Sequence, residues 1–190
     1  MGIVYEADRI AIRELEQEDT ELFAAWWNNG ELMKDVGFRE GMGITAASLK
    51  EDFAAEIADK DPFRKRRRYV AVDKKSRVPI GELVYGNLDM EKQSCGIGLK
   101  ICEINLQGKG LGHETLISFM KYLDNKFFLH TYEIDTLKDN IRAYSLYKKV
   151  GFREVKTMEN FWTDPDGVSH DLIFMELEKE EFLKSIKKAL

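Results

Sequence analysis

The six residues Gln107-Gly108-Lys109-Gly110-Leu111-Gly112 have the composition of a loop that binds an anion. Three glycines in six positions allow the backbone to turn sharply and to bring its amide hydrogens close to a ligand. An amphipathic pattern that begins near Leu111 predicts a helix, and a helix start adds unpaired N–H groups and a positive dipole end. The sequence therefore predicts a site that holds a diphosphate mainly by main-chain atoms. The alternative is a strand-to-helix connection that needs glycine only for its shape.

Length and composition favour a single domain over residues 1–190 with a sizeable core, because 44% of the residues are hydrophobic. No apolar run is long enough for a membrane span, and the first residues lack the pattern of a secretory signal. We therefore expect a cytoplasmic protein that has no membrane partner. The formal net charge of -5 argues against broad nucleic-acid binding and favours cationic partners such as amines.

The two cysteines, Cys95 and Cys102, are seven residues apart on one predicted strand. This spacing is too long for a short disulfide, and two cysteines are too few for a metal site. We expect buried free thiols and no metal.

The elements that must position the loop follow from hydrophobic periodicity. Period-two alternation predicts seven strands, at residues 9–15, 69–72, 78–85, 95–104, 132–137, 154–162 and 169–178. The strand before the loop has Gly96 and Gly98 on one face, which predicts either the close approach of a ligand or another chain, or tight helix packing. Helical spacing predicts about four flanking helices, and a further short helix at residues 180–190 closes the chain.

A second motif follows at residues 140–152, which read Asn-Ile-Arg-Ala-Tyr-Ser-Leu-Tyr-Lys-Lys-Val-Gly-Phe. The loop at residues 107–112 resembles the Gln/Arg-x-x-Gly-x-Gly/Ala signature of the GNAT family of N-acetyltransferases. The second motif is similar to that family's Asn-x-x-Ala-x-x-x-Tyr-x-Lys-x-Gly-Phe. The resemblance covers residues 9 to about 177, and the segments 9–19 and 162–169 look like the branch with ribosomal-protein N-terminal acetyltransferases and spermidine acetyltransferases.

This resemblance implies an α+β fold, the GNAT fold, with a mixed and mostly antiparallel seven-stranded sheet. The fourth and fifth strands would run parallel and splay apart to admit pantetheine. It also implies acetyl-coenzyme A as the co-substrate and a primary amine as the acceptor, either a small molecule or a protein N-terminus. Dimers are common in this branch, and Phe161-Trp162 could supply a homodimer contact.

The resemblance assigns cofactor contacts residue by residue. The backbone of Lys100, Ile101 and Cys102 would pair with pantetheine like an added strand, and one of these amides would face the developing oxyanion. The diphosphate would be held by Gln107, Gly108, Lys109, Gly110, Leu111 and Gly112, together with His113. Asn140 and Lys149 of the second motif complete the expected contacts.

Tyr147 occupies the position of the family's usual general acid. A tyrosine with a pKa of about 10 stays protonated at neutral pH and can assist a thiolate whose conjugate acid lies near about 8.5. The alternative is a core aromatic residue on the Ala143, Tyr147 and Val150 stripe. No motif fixes the general base, and Glu82 and Glu103 are the two candidates.

Two other functions compete with an N-acetyltransferase. One is a coenzyme A-binding or sensing module of the same fold without turnover, against which the intact Tyr147 argues. The other is a nucleotide phosphate loop, which is disfavoured because Gly-Lys continues to Gly-Leu-Gly without a Lys-Ser/Thr pair. We expect residues 31–43 and the loop near Trp162 to shape the acceptor pocket, but neither carries a motif that identifies the amine.

Overall fold

The chain folds around one twisted sheet, and the computed structural model describes residues 2–188. Its strands are β1 (Ile3–Glu6), β2 (Ile10–Glu14), β3 (Arg67–Asp73), β4 (Pro79–Asp89), β5 (Ser94–Ile101), β6 (Thr131–Leu137), β7 (Arg153–Thr163) and β8 (Ser169–Glu178). They lie in the order β1-β2-β3-β4-β5-β6-β8-β7. Every neighbouring pair is antiparallel except β5 and β6, which are parallel. The predicted mixed and mostly antiparallel sheet is confirmed.

Within residues 2–188, six α-helices flank this sheet: α1 (Asp19–Trp27), α2 (Gly30–Met33), α3 (Ala46–Ala58), α4 (Leu111–Phe127), α5 (Ile141–Val150) and α6 (Lys179–Lys188). Short 3-10 turns follow α2 at Lys34–Val36 and β5 at Ile104–Leu106. The last two residues of the predicted closing helix lie outside the described residues. Among the described residues, no helix is both long and apolar enough to cross a membrane.

The predicted element counts were too low, because seven strands were expected and the sheet has eight. The extra strand, β1, has four residues, too few for a reliable alternation, and it is fixed by antiparallel pairing with β2 at the sheet edge. The predicted four flanking helices and closing helix leave out α2, whose four residues are stabilised by packing more than by their own periodicity.

Two hydrophobic cores cover the two faces of the sheet. One face packs against α4, α5 and α6, where Leu116, Phe119 and Leu123 are fully buried. The other face packs against α1, α2 and α3 around Phe23 and Phe53, whose rings meet edge to face at 5.2 Å. Both Cys95 and Cys102 are buried free thiols, as predicted. Burial raises the pKa of Cys95 to about 12, so it stays protonated at neutral pH.

Candidate active site

The parallel strands β5 and β6 separate after three residue pairs. Their register ends at Gly96 and Glu133, and the residues that follow enclose a cavity of about 500 Å³. Its walls include residues 98–101 of β5 and residues 135–137 of β6. The cavity therefore opens in the plane of the sheet, where β5 has an edge that β6 does not pair.

The glycines of β5 lie beside strand β4. A Cβ atom on Gly98 would lie 2.8 Å from Val84 Cγ1, and one on Gly96 would lie 3.5 Å from the Gly86 carbonyl oxygen. Val84, the register partner of Gly98, therefore occupies the space beside that glycine, whereas Gly96 makes only an ordinary contact with its partner Gly86. Gly98 also lines the cavity.

The glycine loop joins the end of β5 to α4 beside this cavity. Gly108 and Gly110 have φ angles of 73° and 79°, a left-handed conformation that favours glycine. Gly110 is the N-cap of α4, and no side chain caps the helix. The first amides of α4 therefore remain available to an anion.

The Gln107 side chain ties the loop to both sides of the cleft. Its Nε2 donates to the Ile101 carbonyl at 2.7 Å, and its Oε1 accepts a short hydrogen bond from Arg142. Gln107, Gly108, Gly112 and Arg142 all line the cavity. This arrangement places a guanidinium group beside the loop, where it adds positive charge for an anionic ligand.

The three predicted pantetheine contacts on β5 differ in their surroundings. Lys100 and Ile101 line the cavity. Cys102 is absent from the wall, and its amide donates to the Ile80 carbonyl at 2.8 Å. The Cys102 amide is therefore directed at β4. Because backbone amides alternate between the two edges of a strand, the Lys100 amide also points towards β4, and Ile101 is the one of the three whose backbone faces the cleft.

Several predicted diphosphate contacts lie outside the cavity wall. Lys109 is beside β2, where its carbonyl accepts from Arg9 Nη1 at 2.9 Å, and it lines a separate depression with Lys74 and Lys75. His113 lies in the first turn of α4 and is half-buried. Desolvation and then the charge of Lys149 lower the pKa of His113, so the two predicted contacts are close to each other. Gly110 is the N-cap of α4 and Leu111 is its first residue, and neither lines the cavity.

Asn140 connects α5 to the opposite rim of the cavity. Its Oδ1 accepts from the Ala143 amide at 3.0 Å, which caps α5, and its Nδ2 donates to the Asp35 carbonyl at 3.1 Å. One side chain therefore holds both the helix start and the 3-10 turn Lys34–Val36.

Tyr147 projects from α5 into the cavity between the two strands. The residue is 6% exposed, and its ring centroid is 6.1 Å from that of Phe152. Within residues 2–188, no group hydrogen-bonds to its hydroxyl. Burial, followed by the negative charge of Asp135, raises the pKa of Tyr147 above its ordinary value. The hydroxyl is therefore protonated at neutral pH.

The two predicted bases lie away from this hydroxyl. Glu82 accepts from Trp27 Nε1 at 2.8 Å and pairs with Lys100 Nζ at 3.2 Å, so both of its oxygens are engaged. Glu103 follows β5 and does not line the cavity. Neither carboxylate projects freely into the cleft.

Sequence reasoning missed Asp135, a carboxylate in the cavity wall on β6. Its side chain is accessible from the cleft, yet the protein atoms that surround a concave site raise its pKa by desolvation. The sequence feature that indicates the position of Asp135 is the alternation of β6. Tyr132, Ile134 and Thr136 are buried, and Asp135 lies on the opposite face of the same strand. No motif distinguishes that carboxylate from a solvated one.

The rest of the wall comes from segments expected to shape an acceptor pocket. Leu32, Val36 and Phe38 contribute from α2 and the turn that follows, and Phe161 and Trp162 contribute from β7. The Trp162 ring packs against Phe38 at 5.4 Å and occupies the space beside Gly37, where a Cβ atom would lie 2.0 Å from the ring. This half of the cavity is mainly apolar and aromatic.

A splayed parallel pair beside a glycine loop and a helix start is the arrangement of an N-acetyltransferase that binds coenzyme A. Residues 9–153 match the acetyltransferase (GNAT) domain family. The chain belongs to this family and is a GNAT N-acetyltransferase.

Relatives of known sequence or structure agree with this assignment. The uncharacterized N-acetyltransferase p20 of Bacillus licheniformis is 21% identical over 175 residues, which span 92% of this chain and 96% of that protein. The spermidine N-acetyltransferase of Vibrio cholerae, solved in complex with CoA and spermine, has a TM-score of 0.80 at 22% identity and covers 92% of this chain and 98% of its own. A probable acetyltransferase of known structure has a TM-score of 0.75 at 23% identity and covers 92% of this chain and 96% of its own. These structural likenesses establish the fold.

Proposed function

We propose that this protein transfers an acetyl group from acetyl-coenzyme A to a primary amine by direct attack, with Tyr147 as the general acid. The observation that carries the proposal is the position of Tyr147, which lines the cavity between β5 and β6 and whose hydroxyl has no hydrogen-bond partner among the described residues. A group that donates a proton to a leaving thiolate must be free to form that bond when the donor arrives.

The cleft supports donor binding along β5. Pantetheine would extend beside Lys100 and Ile101, which have no register partner in β6. The diphosphate would lie at residues 107–112 and the first turn of α4, with Arg142 supplying charge from α5. Asn140 would contact the pantetheine arm, while His113 and Lys149 would face the part of the donor that extends beyond the cavity. In this arrangement the thioester reaches Tyr147.

The raised pKa of Tyr147 favours hydrogen-bond assistance over complete proton transfer. The hydroxyl is a weaker acid than the thiol that leaves, so its proton must be replaced as the thiol forms. A second requirement is an oxyanion donor, and the Ile101 amide is better placed than the Lys100 and Cys102 amides, which point towards β4.

The acceptor half of the cavity favours a single ammonium group on an apolar body. Its walls are mainly aromatic and aliphatic and include two carboxylates, Asp35 and Asp135. A polyamine carries several charges, and each would need a carboxylate or water as its partner. The spermidine acetyltransferase of similar fold nevertheless makes polyamines an informative comparison.

The test is a thiol-release assay with acetyl-coenzyme A and a panel of peptide N-termini, apolar primary amines, spermidine and aminoglycosides. We expect turnover with at least one primary amine, and we expect Tyr147→Phe to lower kcat by about 10²- to 10⁴-fold. Tyr144→Phe is the matched control, because Tyr144 is one helical turn away and binds Glu154 outside the cavity. This control should keep wild-type turnover.

Two outcomes would contradict the proposal. Undiminished turnover in Tyr147→Phe would remove that residue from its role. Tight coenzyme A binding by calorimetry with no acetylation across the panel would favour a coenzyme A-binding module of the same fold.

A further inference from the structure

We propose that Asp135 is a further catalytic residue, which binds the acceptor ammonium and takes the proton that makes the amine nucleophilic. This inference rests on the proposed function and identifies the base that the second motif and the loop leave undefined. It also implies that the acceptor enters as a cation, with its charged nitrogen between β6 and the thioester.

The position of Asp135 on β6 carries the argument. Gly96 and Glu133 form the last register pair of β5 and β6, so Asp135 lies two residues beyond the point where the strands separate. It lines the cavity that also contains the Tyr147 hydroxyl, and its charge is felt at that tyrosine. The residue is thus on the wall opposite Lys100 and Ile101, where the donor would extend.

The two carboxylates of the wall, Asp35 and Asp135, both lack a side-chain partner among residues 2–188, and Asp135 is the one that lies on β6. Across residues 2–188, the Asp135 side chain makes no hydrogen bond or ion pair, and desolvation is the one cause that shifts its pKa. Glu82 is held by Trp27 and Lys100, and a base that binds two donors has no oxygen free for an amine. A carboxylate without a partner in a partly desolvated cleft favours the arrival of a cation.

Other charged groups that line the cavity come from three elements. Lys100 contributes from β5, Asp35 from the 3-10 turn, and Arg142 with Tyr147 from α5. The charge of Lys100 is offset by Glu82 at 3.2 Å. Glu133 lies on the same strand as Asp135, and the β8 residue opposite Asp135 is Phe174, which brings no charge. Desolvation is the cause that raises the pKa of Asp135, which suits a base that must act near neutral pH.

The proton balance is simple. The ammonium gives one proton to Asp135, and the freed lone pair attacks the thioester carbonyl carbon as its π electrons move to oxygen. The carbon–sulfur bond then breaks, the sulfur keeps the electron pair, and Tyr147 gives the thiolate a proton. The nitrogen loses its second proton to restore Tyr147, and Asp135 returns the first proton to water. The products are an N-acetyl amide, coenzyme A thiol and one released proton.

A bound ammonium would also change Tyr147. The charge of Asp135 is one cause of the raised Tyr147 pKa, and a cation beside Asp135 would offset that charge. The acceptor would therefore make Tyr147 a better acid when the thiolate must leave.

The experiment measures kcat and KM against pH for the wild type, Asp135→Asn and Asp135→Glu, using the best amine of the panel. We expect Asp135→Asn to lower kcat by about 10²- to 10⁴-fold at pH 7. The deficit should shrink by about tenfold per pH unit towards the pKa of the amine, because neutral acceptor is then supplied by the solvent. Asp135→Glu should recover part of the rate. Glu133→Gln is the matched control on the same strand and should keep the wild-type profile.

Calorimetry with coenzyme A separates this inference from the proposed function. The Asp135→Asn variant should bind coenzyme A as the wild type does, since the residue faces the acceptor. Wild-type turnover together with an unchanged pH profile in Asp135→Asn would overturn the role of Asp135 and leave the acetyltransferase intact. A loss that is equal at every pH and is not recovered by glutamate would overturn it as well. No acetylation by the wild type would instead contradict the proposed function.

Discussion

At the scale of single residues, the cleft combines a phenol and a carboxylate that perturb each other. Tyr147 is protonated and has no described partner, while Asp135 carries a charge that the fold does not neutralise. An unpaired charge in a desolvated site destabilises the folded state. The unpaired Asp135 therefore lowers the free energy of unfolding, a cost that is common where a catalytic residue must remain free.

This reasoning predicts that Asp135→Asn raises the melting temperature at pH 7. The pKa of Asp135 in the folded state lies above its unfolded value of about 3.9. Protonation of Asp135 therefore stabilises the folded state, and this contribution to the free energy of unfolding is lost as pH rises through the folded pKa. The stabilising effect of asparagine should therefore be largest at neutral pH and shrink towards pH 4. Thermal unfolding between these values tests it, and a lower melting temperature at pH 7 would contradict the raised pKa.

At the scale of elements, α5 carries Tyr147 and its N-terminus is fixed by one side chain. Asn140 caps the helix and also binds the Asp35 carbonyl, so the start of α5 is coupled to the rim of the cavity. The structure contains a useful counterpart in α3, which Thr45 caps through the Ser48 amide at 3.1 Å and which does not line the cavity. The cap of α5 is therefore in contact with the cavity rim, whereas the cap of α3 is not.

We predict that Asn140→Ala and Thr45→Ala lose similar stability but differ in activity. Loss of an N-cap costs about 1 kcal/mol in the free energy of unfolding. Asn140→Ala should also raise KM for acetyl-coenzyme A and lower kcat, because it releases both α5 and the cavity rim. Urea denaturation and steady-state kinetics measure the two effects. Equal activity in both variants would show that Asn140 acts only as a helix cap.

At the scale of the whole molecule, the basic run at residues 64–68 connects α3 to the sheet. Its last two residues begin β3, and Arg68 binds both Glu56 and Asp52 of α3, at 2.6 Å and 2.7 Å. Arg67 donates to the Asp59 carbonyl at 2.9 Å. The run therefore joins α3 to the start of β3 by ion pairs and hydrogen bonds.

The pair of Arg68 and Glu56 is buried, with side chains 9% and 2% exposed. We predict that Arg68→Met costs about 3 kcal/mol in the free energy of unfolding, because it removes the 2.6 Å partner of buried Glu56 and leaves Arg66, at 3.9 Å, as its nearest cation. Arg77→Met is the control, since the Arg77–Glu6 pair is about 40% exposed on both sides, and it should cost less than about 1 kcal/mol. Chemical denaturation would show similar losses in the two variants if the buried pair were unimportant.

The sequence by itself determined the parts of this protein that depend on neighbours along the chain. The glycine loop, the cap of α5 by Asn140 and the place of Tyr147 on that helix are local features, set by backbone conformation and by residues within a few positions. Alternation likewise predicted most strands, and the ordered motifs predicted the family and the parallel pair. The roles of the individual site residues stay predictions.

Only the tertiary structure decided which side chains share the cleft. Glu82 and Lys100 meet because β4 and β5 are in register, and that pairing engages the carboxylate that the sequence offered as a base. Asp135 lines the cavity with Tyr147 because β5 and β6 separate after Gly96, a geometry set by packing between residues far apart in the chain. Periodicity gives the face of a strand but not the partner opposite it, so the unpaired carboxylate became visible only when the strands were assembled.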